Sequence, residues 1–198
     1  ASECVPFIKT GGLADVVGLG DLSWQTAASA MQVRAALGRI NDLIHASVIC
    51  AAIPRVLVPG ERITVRPSLA AGNDPSRPFD LETSHRIAEF KVAVWQGRDT
   101  MRKRMLVSDL VNLAMDERPL LKELYVVGVR QAAFLLSSTS TMQWALQRSS
   151  QALRERFRDR YGDDPISIGE FMTRHAADVH VVDLLNVLPE LRESMAHS

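Results

Sequence analysis

Apolar residues recur along the chain with two periods, and the places where the period changes mark the elements. Val33, Leu37, Ile40, Ile44, Val48 and Ala51 return at helical spacing. They predict one long helix with a single buried stripe, capped at Ser23 or Thr26, running to about Ala52 and closed by Pro54. Val56-Leu57-Val58 is a short apolar run ended by the turn pair Pro59-Gly60, and Ile63-Thr64-Val65-Arg66 then alternates as a strand. Phe79-Asp80-Leu81-Glu82 and the run from Ile87 to Val92 alternate in the same way. Joined through Thr83-Ser84-His85-Arg86, they predict a β-hairpin whose second arm extends from Arg86 to about Trp95. Gly97 breaks that arm, and Asp99 or Thr100 caps a second helix to about Met115. Its predicted apolar face is Met101, Met105, Leu106, Leu110, Val111 and Ala114. Glu123 to Gly128 and Ala132 to Leu136 read as further strands. Gln143 to about Tyr161 and Ile166 to Met172 read as helices, and Val179 to Leu185 as a last strand or a helix.

The order of helix, three strands, helix and strand predicts an α/β fold of mixed α+β order, with a central mixed β-sheet flanked by helices. With 198 residues, 46% apolar and 23% charged, the chain has the size and composition of one soluble globular domain. Residues 1–22 read as a leader, 23–137 as the core, and 138–198 as a mostly helical extension packed on it. The formal charge is zero, which argues against a polycation that coats nucleic acid but leaves room for a local basic groove. Cys4 and Cys50 have neither metal-ligand nor redox spacing and suit a reducing compartment. No stretch has the length of a membrane span and no secretion signal opens the chain. The expected setting is cytoplasmic, without a membrane partner.

The hairpin carries the chemistry. Side chains alternate across a strand, so Asp80 and Glu82 share one face, and Glu89 and Lys91 share a face opposite Ala88, Phe90 and Val92. Pairing the strands brings the polar faces together, and carboxylates gathered beside a lysine point to a divalent-metal site. His45, with no second histidine three or four residues away, reads as a surface or packed residue of the first helix rather than a ligand. Arg98, Arg102, Lys103 and Arg104 crowd the start of the helix after the hairpin. Cations there oppose the helix macrodipole, so a phosphate backbone is their expected partner.

Asp80 with Glu89-Phe90-Lys91, set in this order of elements, resembles the PD-(D/E)xK nuclease superfamily over about residues 23–136. The resemblance implies a restriction-endonuclease-like core. Asp80 and Glu89 would hold Mg²⁺ or Mn²⁺ with the Phe90 main-chain carbonyl and water, and Glu82 is a candidate extra ligand. Lys91 would orient or help deprotonate the attacking water and stabilise charge on the phosphate. The implied activity is Mg²⁺-dependent hydrolysis of phosphodiester bonds, in DNA ahead of RNA, with homodimerisation left open. One alternative is a catalytically silent nuclease-fold domain that binds nucleic acid or a protein.

A second resemblance is confined to the amino terminus. Residues 1–18, centred on Lys9-Thr10-Gly11-Gly12-Leu13, are similar to the sugar-nucleotide loop of bacterial glycogen and starch synthases. It implies that Lys9, Gly11 and Gly12 approach the diphosphate of a glucosyl donor. The corresponding alternative function is that of a fragment of such an ADP-glucose glucosyltransferase. From Leu19 onward the chain departs from that family, and no second Rossmann-like domain follows.

Overall fold

The computed structural model describes residues 24–38, 40–67, 78–93 and 99–192. The leader with Lys9, Gly11 and Gly12, the Ser23 cap, the far end of the hairpin's second arm and Arg98 lie outside the described residues. The chain divides into two units, residues 1–41 and 42–198. In the first, the described residues form α1 (Trp24–Gly38). Helix α2 (Ile40–Val56) begins at the boundary.

The expected single helix is therefore two helices, and Pro54 does not close the second. Pro54 sits in the last turn of α2, where the helix hydrogen bond it removes would have ended on Cys50, an exposed residue. The predicted stripe is also out of phase. Val33, Leu37, Ile40 and Ile44 are 44–57% exposed, and Ala51 is exposed too. The buried face of α2 is His45, Val48, Ile49, Ala52 and Val56.

The second unit is built on a five-stranded mixed sheet in the order β1-β2-β3-β4-β5. Strands β1 (Ile63–Val65), β2 (Leu81–Thr83) and β3 (Arg86–Lys91) form an antiparallel meander. The Thr83 hydroxyl ties the β2–β3 turn, accepting from the Arg86 N–H at 2.8 Å and the His85 N–H at 3.0 Å. The chain crosses through α3 (Thr100–Met115) to β4 (Leu121–Val126), which pairs in parallel with β3. It crosses again through α4 (Val129–Leu136), α5 (Met142–Leu146), α6 (Gln151–Tyr161) and α7 (Ile168–His175) to β5 (Val179–Asp183), parallel to β4. The short α8 (Leu184–Val187) follows directly. The expected α/β class, helices around a mixed sheet, is the class observed.

The two sheet faces carry separate cores. Ile87, Leu124, Val126 and Val179 pack against α3 to α7, while Leu81, Ala88, Phe90 and Tyr125 pack against α2 and α8. Both parallel crossovers lie on the first face, as expected when successive steps move the same way across the sheet with the same hand. Three expectations change here. Ala132 to Leu136 is helix, not strand: Gly128, with φ 75°, turns the chain out of β4, and Ala132, Leu135 and Leu136 bury one side of α4. A short continuous apolar run has no period that separates the two states. The segment from Gln143 to Tyr161 is two helices, separated at the Ser150 cap of α6. Met101 and Met105 are 58% and 44% exposed, and the buried side of α3 runs through Leu106, Val107, Leu110, Val111, Leu113 and Ala114.

Candidate active site

Strand register decides which hairpin groups meet. Leu81 pairs with Ala88 and Glu82 with Ile87, so Glu82, Ile87, Glu89 and Lys91 share the face that packs on α3. Asp80 lies in the bend immediately before β2 and is free of that alternation. Its Oδ2 accepts the Phe90 N–H at 2.9 Å, which fastens Asp80 to the middle of β3 beside Glu89. The N–H and C=O of one strand residue point to the same edge, so the Phe90 carbonyl is on the Asp80 side. Asp80 Oδ1 stands 3.2 Å from Nε2 of His45. His45 reaches it from the first position of the buried stripe of α2.

Glu89 and Lys91 meet a group from the helix on their face. Lys91 Nζ is 2.5 Å from Asp109 Oδ2 and 4.0 Å from Glu89 Oε2. Asp109 occupies α3 between Leu106 and Leu110, inside its buried side. Asp80, Glu89, Lys91, Asp109 and His45 thus draw together from four elements or their ends. Burial, then the charges of Asp109 and Asp80, push the Glu89 carboxyl well above the usual carboxylate range, against the pull of Lys91. Asp80, fastened to the N–H of Phe90, is one of the groups that raise Glu89. Burial alone would lower Lys91, but Asp109 and Glu89 outweigh it and hold the ammonium above the usual lysine range.

Carboxylate and carbonyl oxygens are the donor types that a hard divalent cation takes. Two adjacent carboxylates, a main-chain carbonyl and an imidazole sit where three acids outnumber one lysine. Burial first, and the neighbouring Asp109 and Asp80 charges second, disfavour the charged form of Glu89 in this cluster. Among the described residues, no group of three or more His, Cys, Asp or Glu side chains is placed to hold a metal ion. Mg²⁺ keeps several waters and takes only one or two carboxylates from a protein, so Asp80 and Glu89 are the side chains that would hold it.

The other predicted residues have different partners. Glu82 is buried with its Oε2 on Arg118 at 2.8 Å, so its carboxylate is engaged away from Asp80 and Glu89. Arg86 instead joins Glu61 and Glu123, at 2.8 Å each. Arg102 pairs with Asp99, the N-cap of α3, at 3.1 Å, which gives it a local structural role. Arg104 is turned toward α5, donating to Gln147 at 3.1 Å and lying 5.0 Å from the centre of the Trp144 ring. Lys103, half-buried, makes no ion pair among the described residues.

Asp109 and His45 are the residues that sequence reasoning missed. Each had a signal: both fall in the apolar phase of their helix, Asp109 with Leu106, Leu110 and Leu113, and His45 with Val48, Ile49 and Ala52. A charged group in a buried phase must be paired, or it would be expelled. Comparison of the chain with protein-family profiles, curated proteins and solved structures finds no match.

Proposed function

We propose that the chain is a Mg²⁺- or Mn²⁺-dependent phosphodiesterase of the PD-(D/E)xK nuclease type, acting on DNA ahead of RNA. The observation that carries this reading is the convergence of Asp80, in the bend before β2, with Glu89 on β3: Asp80 accepts the N–H of Phe90, the residue after Glu89, and the Lys91 amine is 4.0 Å from Glu89. A hairpin stabilised for its own sake has no use for two abutting buried carboxylates. The element order adds support, since α2, the β1–β3 meander, α3 and β4 follow the sequence of elements in the core of that superfamily.

Roles follow from the surroundings of each side chain. A bound cation would neutralise charge developing on the phosphate and acidify a water. Asp80 and Glu89 would hold it, with the Phe90 carbonyl as a further donor. The Phe90 N–H and His45 fix the Asp80 carboxylate in one orientation. Lys91, kept protonated by its carboxylate neighbours, supplies a fixed positive charge to the phosphate instead of removing a proton from water. Lys103 is the cation of the helix start that remains for a phosphate backbone, with Arg98 outside the described residues.

The test is cleavage of supercoiled plasmid, single-stranded DNA and RNA by the purified chain, with and without Mg²⁺ or Mn²⁺. The expected result is metal-dependent cleavage of DNA that Glu89→Ala and Lys91→Ala abolish. Binding without cleavage across all substrates and metals would replace the enzyme with a silent nuclease-fold binding domain.

A further inference from the structure

Lys91 has two carboxylates within reach and is seated on the one from the helix. Its Nζ is 2.5 Å from Asp109 and 4.0 Å from Glu89, although the two acid side chains are equally buried, each 10% exposed. Leu106, Leu110 and Leu113 anchor α3 in the core around Asp109, so the position of that carboxylate is set by the packing of the helix. The lysine stem is flexible, and the amine goes where attraction is greatest. Coulomb attraction rises as distance falls, so without the Asp109 charge the next seat for the amine is Glu89. An ammonium on Glu89 would occupy the oxygens that a cation needs.

We propose that Asp109 is a positioning residue that holds the Lys91 ammonium off Glu89, keeping Glu89 open to a divalent cation and the lysine charge beside the phosphate. The inference rests on the metal-dependent reading of the site. It assigns a function to an acid that belongs to neither the hairpin nor the triad carried over from the superfamily. Asp109 is itself engaged by Lys91, so its part is to place a neighbour and not to touch the reacting atoms.

The test is a double-mutant cycle read by Mn²⁺ binding, followed by electron paramagnetic resonance on the full chain. Asp109→Asn should weaken Mn²⁺ binding about tenfold or more, the scale seen when a group supporting metal ligands is lost. In the Lys91→Met background, with no amine to fall onto Glu89, the same substitution should weaken binding about threefold at most. Equal losses in both backgrounds would mean a plain charge effect and would overturn the proposal, as would no loss in the first. Failure of the wild-type chain to bind Mn²⁺ overturns the nuclease reading and this inference with it. A second measurement needs no acid variant to fold: in wild-type chain labelled with ¹⁵N-lysine, Lys91 should give an ammonium signal protected from water exchange. Absence of a protected signal that Lys91→Met would remove contradicts the Asp109 seat.

Discussion

Replacing Glu89 with glutamine should stabilise the metal-free protein and remove its response to metal. Glu89 is 7% exposed, pressed by the charges of Asp80 and Asp109, and only partly relieved by Lys91 at 4.0 Å. At an effective dielectric of ~20, that attraction amounts to about 4 kcal/mol. Two repulsions and a desolvation penalty of several kcal/mol stand against it. The folded-state pKa lies above the unfolded one, so the folded protein holds the proton more tightly. Stability from this group is therefore complete below the ordinary glutamate range and is lost as pH rises through the folded pKa. Glutamine cannot titrate and removes that slope. At pH 7 the expected gain is about 1–2 kcal/mol, the usual scale for relieving a strained functional site. Urea unfolding with and without Mg²⁺ reads both effects. At a hundredfold excess over the dissociation constant, Mg²⁺ should add about 2.7 kcal/mol to wild type and far less to the variant, reversing their order. A variant less stable than wild type by more than about 1 kcal/mol without metal, or equal Mg²⁺ stabilisation of both, would refute the reasoning.

Arg86→Met strands Glu61 and Glu123, and should cost about 3–5 kcal/mol at pH 7 by urea unfolding. Burial pushes Glu61 up, but hydrogen bonds from Arg86 and Thr83 bring it down to about 2. Its stabilising contribution in wild type is thus complete above pH 4.5 and lost as pH falls through about 2, so the deficit of the variant should shrink on acidification. Gly128→Ala forces a side chain into a backbone with φ 75° at the start of α4, and should lower stability by about 1–2 kcal/mol in a thermal melt. Deleting residues 1–22 should leave the rate of DNA cleavage unchanged, and loss of cleavage would return Lys9, Gly11 and Gly12 to consideration.

The hairpin was readable because period-two alternation is local: Leu81-Glu82 and Ile87 to Lys91 do lie in paired strands, although Phe79 and Asp80 fall in the bend before β2. Helix α3 was legible in its bounds, since its Asp99 cap lies within the segment itself, although Met101 and Met105 of the predicted face are exposed. The phase of α2 was not, because the stripe was drawn through one long helix while the chain forms two. Ala132 to Leu136 was ambiguous for a different reason: five apolar residues in a row fit a buried strand or a buried helix, and only the turn at Gly128 decides. The candidate site split along the same line. Glu89 and Lys91 share a face of β3 and could be read from their spacing, whereas Asp80 lies in the bend before β2 and joins them through the Phe90 N–H. Asp109 and His45 come from helices on opposite faces of the sheet, and nothing local tells which polar residue of a helix will reach the strand ends. Arg102 and Arg104 looked like free phosphate ligands, but the Asp99 cap and the Trp144 ring already engage them.

Where a cation binds tests the central claim most directly. Crystals grown with Mn²⁺ and measured near its absorption edge should give an anomalous peak between the Asp80 and Glu89 carboxylates, within about 2.5 Å of an oxygen from each. The Lys91 amine should remain on Asp109. A peak elsewhere on the chain with none between these two carboxylates, at Mn²⁺ concentrations that support cleavage, would contradict the account.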